Sequence, residues 1–433
     1  MLTLFITLSI ILCIALAVGL HVAVVLGFSA VLIGEIFSSR SLMDIMGTIP
    51  WNQISNMNLV ALPLFVLMGE LLLSSGASEG MYNSLTKWMN RLPGGLLHTN
   101  ILASSIFSCI SGSSAATAAT VGGVALPVMR RDGYNNALSL GSLAAGGTLG
   151  ILIPPSIVMI VYGVLSETSI GQLYMSGIVP GVILTVMFMA AIVVLSILKP
   201  EIAPKAPSST WADKIAAILP LLPVLILIFL VLGTIYLGIA TPTEAAALGV
   251  VGSFVIAVLN KRVNRKMLRS TFLSTASTSS MILLILMGAS ILQFVVSYLG
   301  IPTAMTAWIT EKGVTAMQFV LMIIVIFLLL ASVMESLSLV VLIVPVILPV
   351  LKTLHVDLVW FGIVLVLVVE VALITPPVGM NLFIMQGVSN KVTIGNQGKP
   401  SDVFMGSLPF VFAIFLVLAL ILLVPETVWL LKV

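Results

Sequence analysis

The sequence predicts an all-α protein that crosses a membrane many times. Hydrophobic residues make up 60% of its 433 residues and charged residues only 8%, and the mean hydropathy is +1.26. Such values lie far outside the range of soluble globular proteins. Uncharged runs such as 172–198 and 215–237 are long enough for membrane helices of about 20 residues, and too long and uniformly apolar for barrel strands of roughly 10 alternating residues.

Ten apolar runs predict membrane crossings, and two longer regions predict re-entrant hairpins. Regions 96–129 and 315–351 each hold enough residues for two helices, but small or polar residues interrupt both midway. A short amphipathic stretch around Trp88 or Trp308 precedes each region and is typical of an arm lying in the membrane interface. The crossings are predicted at 2–18, 20–36, 54–75, 137–165, 172–198, 215–237, 243–259, 270–299, 357–389 and 404–431.

The distribution of basic residues predicts the orientation. If both hairpins enter and leave on one side, 14 of the 18 Lys and Arg residues fall on one face, which is then cytoplasmic. Both chain termini are predicted on the outer face, with residues 1–18 kept as a first helix because no basic segment or cleavage signal accompanies them. The net charge of +3 is small and dispersed, so no nucleic-acid partner is expected.

An internal repeat divides the chain into two halves. A spacing of 222 residues places Pro127 on Pro349, the pair Pro154-Pro155 on Pro376-Pro377, and the hairpin interruption at Ser113 on Glu335. A spacing of 219 residues aligns 67–69 with 286–288. We expect a first repeat at 1–198, a cytoplasmic linker at 199–214 and a second repeat at 215–433, inverted in the membrane. Inverted repeats are typical of secondary transporters, whose binding site lies where the two halves meet.

The paired prolines predict two discontinuous helices, within 137–165 and 357–389. Proline has no backbone N–H, so the carbonyls of Gly150 and Ile151, and of Ala372 and Leu373, lose their helical partners. Free carbonyls at membrane depth are tolerated where they line a cavity or bind a cation. Sodium, a hard cation that prefers oxygen ligands, is the predicted occupant.

The hairpin interruptions supply further oxygen atoms and free helix N-termini, which attract an anionic substrate. Two simpler interpretations stay open, since a double proline can merely kink a helix and small residues can merely allow close helix packing. The predicted ion-binding residues are Ser111, Gly112, Ser113, Ser114, Gly150, Ile151, Pro154, Pro155, Glu335, Ser336, Ala372, Leu373, Thr375, Pro376 and Pro377.

Several other polar residues receive no predicted role in transport. Residues 241–244 read as a capping box that begins a helix at 243. Glu70 and Glu370 lie inside apolar runs and stay unassigned, so proton coupling remains open beside sodium coupling. The sequence offers no nucleophile or carboxylate pair with an orienting base, and an enzyme is therefore not expected.

Four motifs together resemble a known family over essentially the whole chain. They are SGSSAAT at 111–117, LIPPSI at 152–157 followed by Tyr162-Gly163, ATPTEA at 240–245, and TPPVGMNL at 375–382. These motifs are similar to those of the large membrane subunit of the tripartite ATP-independent periplasmic (TRAP) transporters.

The resemblance implies an elevator-type sodium symporter in the bacterial inner membrane that carries organic acids such as C4-dicarboxylates or sialic acid. It also implies two partners, a small four-helix membrane subunit and a soluble periplasmic binding protein. A stand-alone sodium symporter of the same superfamily is the alternative. Residues expected to contact the substrate are Ser114, Ala115, Thr117, Ser156, Ser338, Gly379 and Asn381.

Overall fold

The computed structural model describes residues 2–38, 42, 46–204, 209–331, 334–376, 378–394 and 398–430. Helices dominate this part of the chain, and none of these residues lies in a β-strand, so the predicted all-α class is confirmed. Short 3₁₀ turns occur at Met57–Val60, Pro200–Ile202 and Pro425–Val428.

Twenty α-helices are described, ten in each half of the sequence. The first ten are α1 Leu2–Ala17, α2 Val22–Phe37, α3 Thr48–Ile54, α4 Ala61–Ser74, α5 Ala77–Met89, α6 Leu96–Ser111, α7 Ser114–Arg131, α8 Asn136–Leu152, α9 Ile157–Ser166 and α10 Ile170–Leu198. The others are α11 Trp211–Ala216, α12 Leu222–Tyr236, α13 Pro242–Leu259, α14 Arg265–Tyr298, α15 Ile301–Glu311, α16 Ala316–Ala331, α17 Ser336–Thr353, α18 Leu358–Leu373, α19 Met380–Lys391 and α20 Pro400–Leu423.

Seven helical stretches in the described residues are long and apolar enough to cross a membrane. One of them is α17, which is a limb of the second predicted hairpin. Its 18 residues satisfy the same length and hydropathy requirements as those of a crossing helix. The seven are Met57–Ser74, Asn136–Ser166, Ile170–Leu198, Pro242–Leu259, Arg265–Tyr298, Ser336–Thr353 and Pro400–Leu423.

The helices of the two halves match in order and length around the predicted hairpins. Helices α7 and α17 each have 18 residues and begin 222 positions apart. The arms α5 and α15 each follow a glycine, Gly76 or Gly300, with a φ of 74°. Glycine suits these corners because side-chain-bearing residues adopt positive φ only at an energetic cost.

Close helix contacts at glycine hold the two halves together. Helix α2 packs on α14 and α13 packs on α4, each pair joining one half to the other. A Cβ added at Gly288 in α14 would lie 2.4 Å from the carbonyl oxygen of Ala23, and one at Gly406 in α20 would lie 1.8 Å from that of Ala137 in α8. Only glycine permits such approach, which is how membrane helices gain van der Waals contact without a hydrophobic driving force between them.

The hairpins and discontinuous helices also interlock across the halves. The second segment of the first discontinuous helix, α9, packs on the second limb of the second hairpin, α17. In the same way α19 packs on α7. The two predicted site regions therefore belong to one packed body.

Two predicted crossings are wrong in their bounds, and proline explains both. The run 215–237 is not one helix, because it divides into α11 and α12 around Pro220 and Pro223, and α11 begins inside the predicted linker 199–214. The last run, 404–431, ends as an α-helix at Leu423 because Pro425 cannot continue the ladder. The capping box at 241–244 is confirmed and begins α13 at Pro242.

Candidate functional site

The tip of the first hairpin is a compact group of oxygen atoms between α6 and α7. Gly112 reverses the chain with a φ of 58°, and the Oγ of Ser113 caps α7 by accepting the amide of Ala116 at 3.4 Å. The hydroxyls of Ser111 and Thr117 are 2.7 Å apart, and the Thr117 hydroxyl donates to the Ser113 carbonyl at 2.9 Å. Three hydroxyls and a carbonyl thus share one turn.

This tip is seated directly on the first helix break. The carbonyl of Gly112 accepts the amide of Ile157, the first residue of α9, at 3.2 Å. A Cβ added at Gly112 would lie 2.8 Å from the Pro155 carbonyl oxygen, and one added at Gly150 would lie 2.6 Å from the Ser113 carbonyl oxygen. Glycine at both positions is therefore required for the contact.

The break itself removes two helical hydrogen-bond donors beside the tip. The last helical bond of α8 runs from the Ile153 amide to the Leu149 carbonyl at 2.9 Å. Pro154 and Pro155 follow and donate none, so the carbonyls of the two residues after Leu149 lose their helical partners. Ser156 is fully buried and caps α9 by accepting the Met159 amide at 3.4 Å.

The tip of the second hairpin carries a carboxyl group in place of the serine hydroxyl. Glu335 caps α17 and accepts the amide of Ser338 at 3.1 Å. The hydroxyls of Ser336 and Ser338 donate to the same carboxyl group at 3.1 and 3.2 Å. Both serines are buried.

The second break differs from the first in one respect. The expectation that the carbonyl of Ala372 is free is not met, because the Thr375 amide turns back and donates to it at 3.5 Å. The Thr375 hydroxyl also donates to the carbonyl of Val371. Gly379, with a φ of 49°, begins α19, Pro376 is exposed, and Pro377 lies outside the described residues.

Each tip and break enclose a cavity, and the two cavities differ in size. The first has a volume of ≈ 230 Å³ and the second ≈ 140 Å³. Neither lining includes a Lys or Arg among the described residues. The predicted residues that line the first are Ser111, Ser113 and Ala115, and those that line the second are Glu335, Ser336, Ala372 and Leu373.

Asn381 connects the two site regions. It is fully buried in α19, and its Nδ2 donates to the carbonyl of Ala144 in α8 at 3.0 Å. A Cβ at Gly147 would lie 3.0 Å from the same nitrogen and 2.6 Å from the Cβ of Ala118 in α7. One amide from the second break thus reaches the packing surface between the first hairpin and the first discontinuous helix.

Two polar residues of the first cavity were not predicted as site residues. Glu70 of α4 and Thr278 of α14 form part of its wall. The signal for Glu70 was its place inside an apolar run, whereas Thr278 sits among many small polar residues and carries no sequence signal of its own.

The helix ends at the first tip offer electrostatic environments for ligands of both charges. The carbonyl ends of α6 and α8 carry the negative end of the helix dipole, which favours a cation. The amide ends of α7 and α9 lie beside them and favour an anion. The four termini meet because Gly112 contacts both Pro155 and Ile157.

This all-helical architecture with paired hairpins is the fold of a membrane transport protein. It is similar to the crystal structure of the YdaH transporter of Alcanivorax borkumensis, with a TM-score of 0.63 over 93% of this chain and 98% of that one, at 14% identity. The model of the family described as "Tripartite ATP-independent periplasmic transporter, DctM component" matches residues 8–427 of this chain. The chain belongs to this family, and is thus a multi-pass membrane protein of a bacterial transporter family.

The names of similar proteins give different substrates. The C4-dicarboxylate TRAP transporter large permease protein DctM of Vibrio cholerae is 32% identical over 94% of this chain and 93% of its own length. The protein of the same name from Pseudomonas aeruginosa is 35% identical over 76% of this chain and 77% of its own length. The sialic acid TRAP transporter large permease protein SiaM of Vibrio cholerae is 30% identical over 86% of both chains.

Proposed function

We propose that the chain is the substrate-translocating subunit of a sodium-coupled transporter that imports an organic acid into a bacterial cell. The observation that carries the proposal is the repeated pairing of a hairpin tip with a helix break. In the first pairing, the Gly112 carbonyl accepts the Ile157 amide and the Ser113 carbonyl lies against Gly150.

The ion and the substrate would use different ends of the same helices. Sodium would bind the serine and threonine oxygens of the tips and the carbonyls of Gly150, Ile151 and Leu373, at the carboxyl-terminal ends of the helices that precede the breaks. The carboxylates of the substrate would face the free amides at the amino-terminal ends of α7 and α19, beside the buried side chain of Asn381. Neighbouring charges of opposite sign stabilise each other, which couples the binding of one ligand to that of the other.

Transport would proceed by an elevator movement of the interlocked hairpins and discontinuous helices against a scaffold. The scaffold would consist of α2, α4, α13 and α14, which pack on each other across the halves. The interlocking of α9 with α17 and of α19 with α7 supports movement of both sites as one body. Both termini would lie in the periplasm.

Membership in the family supports two partners, a small four-helix membrane subunit and a periplasmic binding protein. The substrates named for the relatives favour a C4-dicarboxylate, with sialic acid as the second candidate. A stand-alone sodium symporter is the competing function, and it would need neither partner.

Uptake into proteoliposomes tests the proposal. The chain is reconstituted with its neighbouring small subunit, and entry of radioactive succinate or sialic acid is followed with an inward sodium gradient, with and without the cognate binding protein. Uptake that requires sodium and the binding protein supports the tripartite function. Sodium-driven uptake without the binding protein would indicate the stand-alone symporter, and uptake indifferent to sodium would refute sodium coupling.

A further inference from the structure

A carboxyl group from outside the hairpins faces the first candidate site. Glu70 lies on α4, and the stripe of α4 that lines the first cavity is Val66, Gly69, Glu70 and Leu73. This spacing is that of one helix face. A Cβ added at Gly69 would lie 3.3 Å from the Cα of Ser111, so the helix carrying Glu70 touches the hairpin tip.

The carboxyl group of Glu70 is held in place but lacks a counter-charge. It is half-buried and accepts a hydrogen bond from the Ser274 hydroxyl of α14 at 2.7 Å. Thr278, one turn further along α14, lines the same cavity. No basic side chain of the described residues lines this cavity or forms an ion pair with Glu70. A charged carboxylate at membrane depth is costly unless a cation compensates it.

The cavity has the room and the remaining ligands for such a cation. Its volume of ≈ 230 Å³ exceeds the roughly 30 Å³ that one water occupies. Ser111 and Ser113 of the tip form the opposite wall. We propose that Glu70 is a sodium ligand supplied by the scaffold, which completes the first site only while the hairpin rests against α4. The inference rests on the proposed sodium-coupled function.

The two halves differ at this point in an informative way. The spacing of 219 residues places Ala289 where the first half has Glu70, whereas Glu335 occupies the position of Ser113. Each candidate site therefore has one carboxyl group, but the second carries it on its own hairpin and the first takes it from the scaffold. The second site keeps its ligand when the hairpins move, and the first site loses it.

The test is the sodium dependence of substrate exchange measured separately from each side of the membrane. Glu70→Gln is compared with wild type in right-side-out and inside-out vesicles holding the assembled transporter. Glu35→Gln is the control, since Glu35 is an exposed acid on the scaffold helix α2. We expect the half-saturating sodium concentration of Glu70→Gln to rise roughly 5-fold or more on one side only, and that of Glu35→Gln to stay unchanged.

The other outcomes overturn the inference. An equal rise on both sides would mean that Glu70 acts in every position, and no rise on either side would mean that it binds no sodium. If Glu70→Gln is inactive, the thermal stabilisation of the purified protein by sodium chloride over choline chloride decides, because a bound ligand raises Tm. A wild-type sodium shift in that variant overturns the inference alone, whereas a wild-type protein without any sodium response overturns the proposed function as well.

Discussion

Replacing Gly150 by alanine separates the hairpin tip from the helix break without altering any polar group. The new Cβ would lie 2.6 Å from the Ser113 carbonyl oxygen, whereas ordinary contact begins at 3.4 Å. The tip must therefore retreat by about 0.8 Å. Metal–ligand distances tolerate only about 0.2 Å, so at least one oxygen leaves the ion. We expect sodium affinity to fall roughly tenfold or more, which corresponds to about 1.4 kcal/mol.

The assay is the sodium concentration that gives half-maximal uptake in proteoliposomes. Gly123→Ala is the matched control, because Gly123 lies on α7, the hairpin limb that follows the tip, and an added Cβ there meets nothing within 4 Å. The control should keep wild-type sodium dependence. A Gly150→Ala protein that folds and retains the wild-type half-saturating concentration would refute the contact between tip and break as the basis of ion binding.

Three further substitutions test neighbouring features. Ser113→Ala removes a tip hydroxyl and should lower sodium affinity in the same uptake assay, and unchanged sodium dependence would remove this residue from the site. Arg130→Gln should lower the free energy of unfolding by about 2 kcal/mol, because Arg130 donates hydrogen bonds to the carbonyls of Ser389 and Val392. The control is Arg131→Gln, since Arg131 pairs only with an exposed neighbour. The Tm of Arg130→Gln should be the lower of the two, and equal Tm values would contradict this. Glu370→Gln should keep near-wild-type expression and Tm, because the buried carboxyl group of Glu370 has no hydrogen-bond partner among the described residues. A large loss of Tm would indicate that this carboxyl group is paired.

The local features of the site were predictable from the sequence because each depends on a few adjacent residues. Proline cannot donate a backbone hydrogen bond, so Pro154 and Pro155 fix the gap between α8 and α9 wherever the helix lies. Ser113 begins the second limb of the first hairpin for an equally local reason, since its hydroxyl caps α7. The spacing of 222 residues places Pro376-Pro377 and Glu335 at the equivalent positions, so the same features were predicted in the second half.

Contacts between distant segments could not be predicted in this way. Arg130 bonds to Ser389 across 259 positions, and Glu70 meets Ser274 across 204. Their pairing depends on which helix faces come together, and apolar periodicity does not specify this in a membrane helix that is hydrophobic on every side. The turn bond that Thr375 makes to Ala372 was missed for a different reason, because the loss of a helical donor does not prevent a nearby amide from folding back.

Binding of radioactive sodium to the purified transporter tests most directly the claim that the hairpin tips hold the coupling ion. We predict saturable binding to wild type and to Gly123→Ala, and markedly weaker binding to Gly150→Ala and Ser113→Ala. Absence of saturable sodium binding in the wild type, or equal binding by all four proteins, would contradict the account.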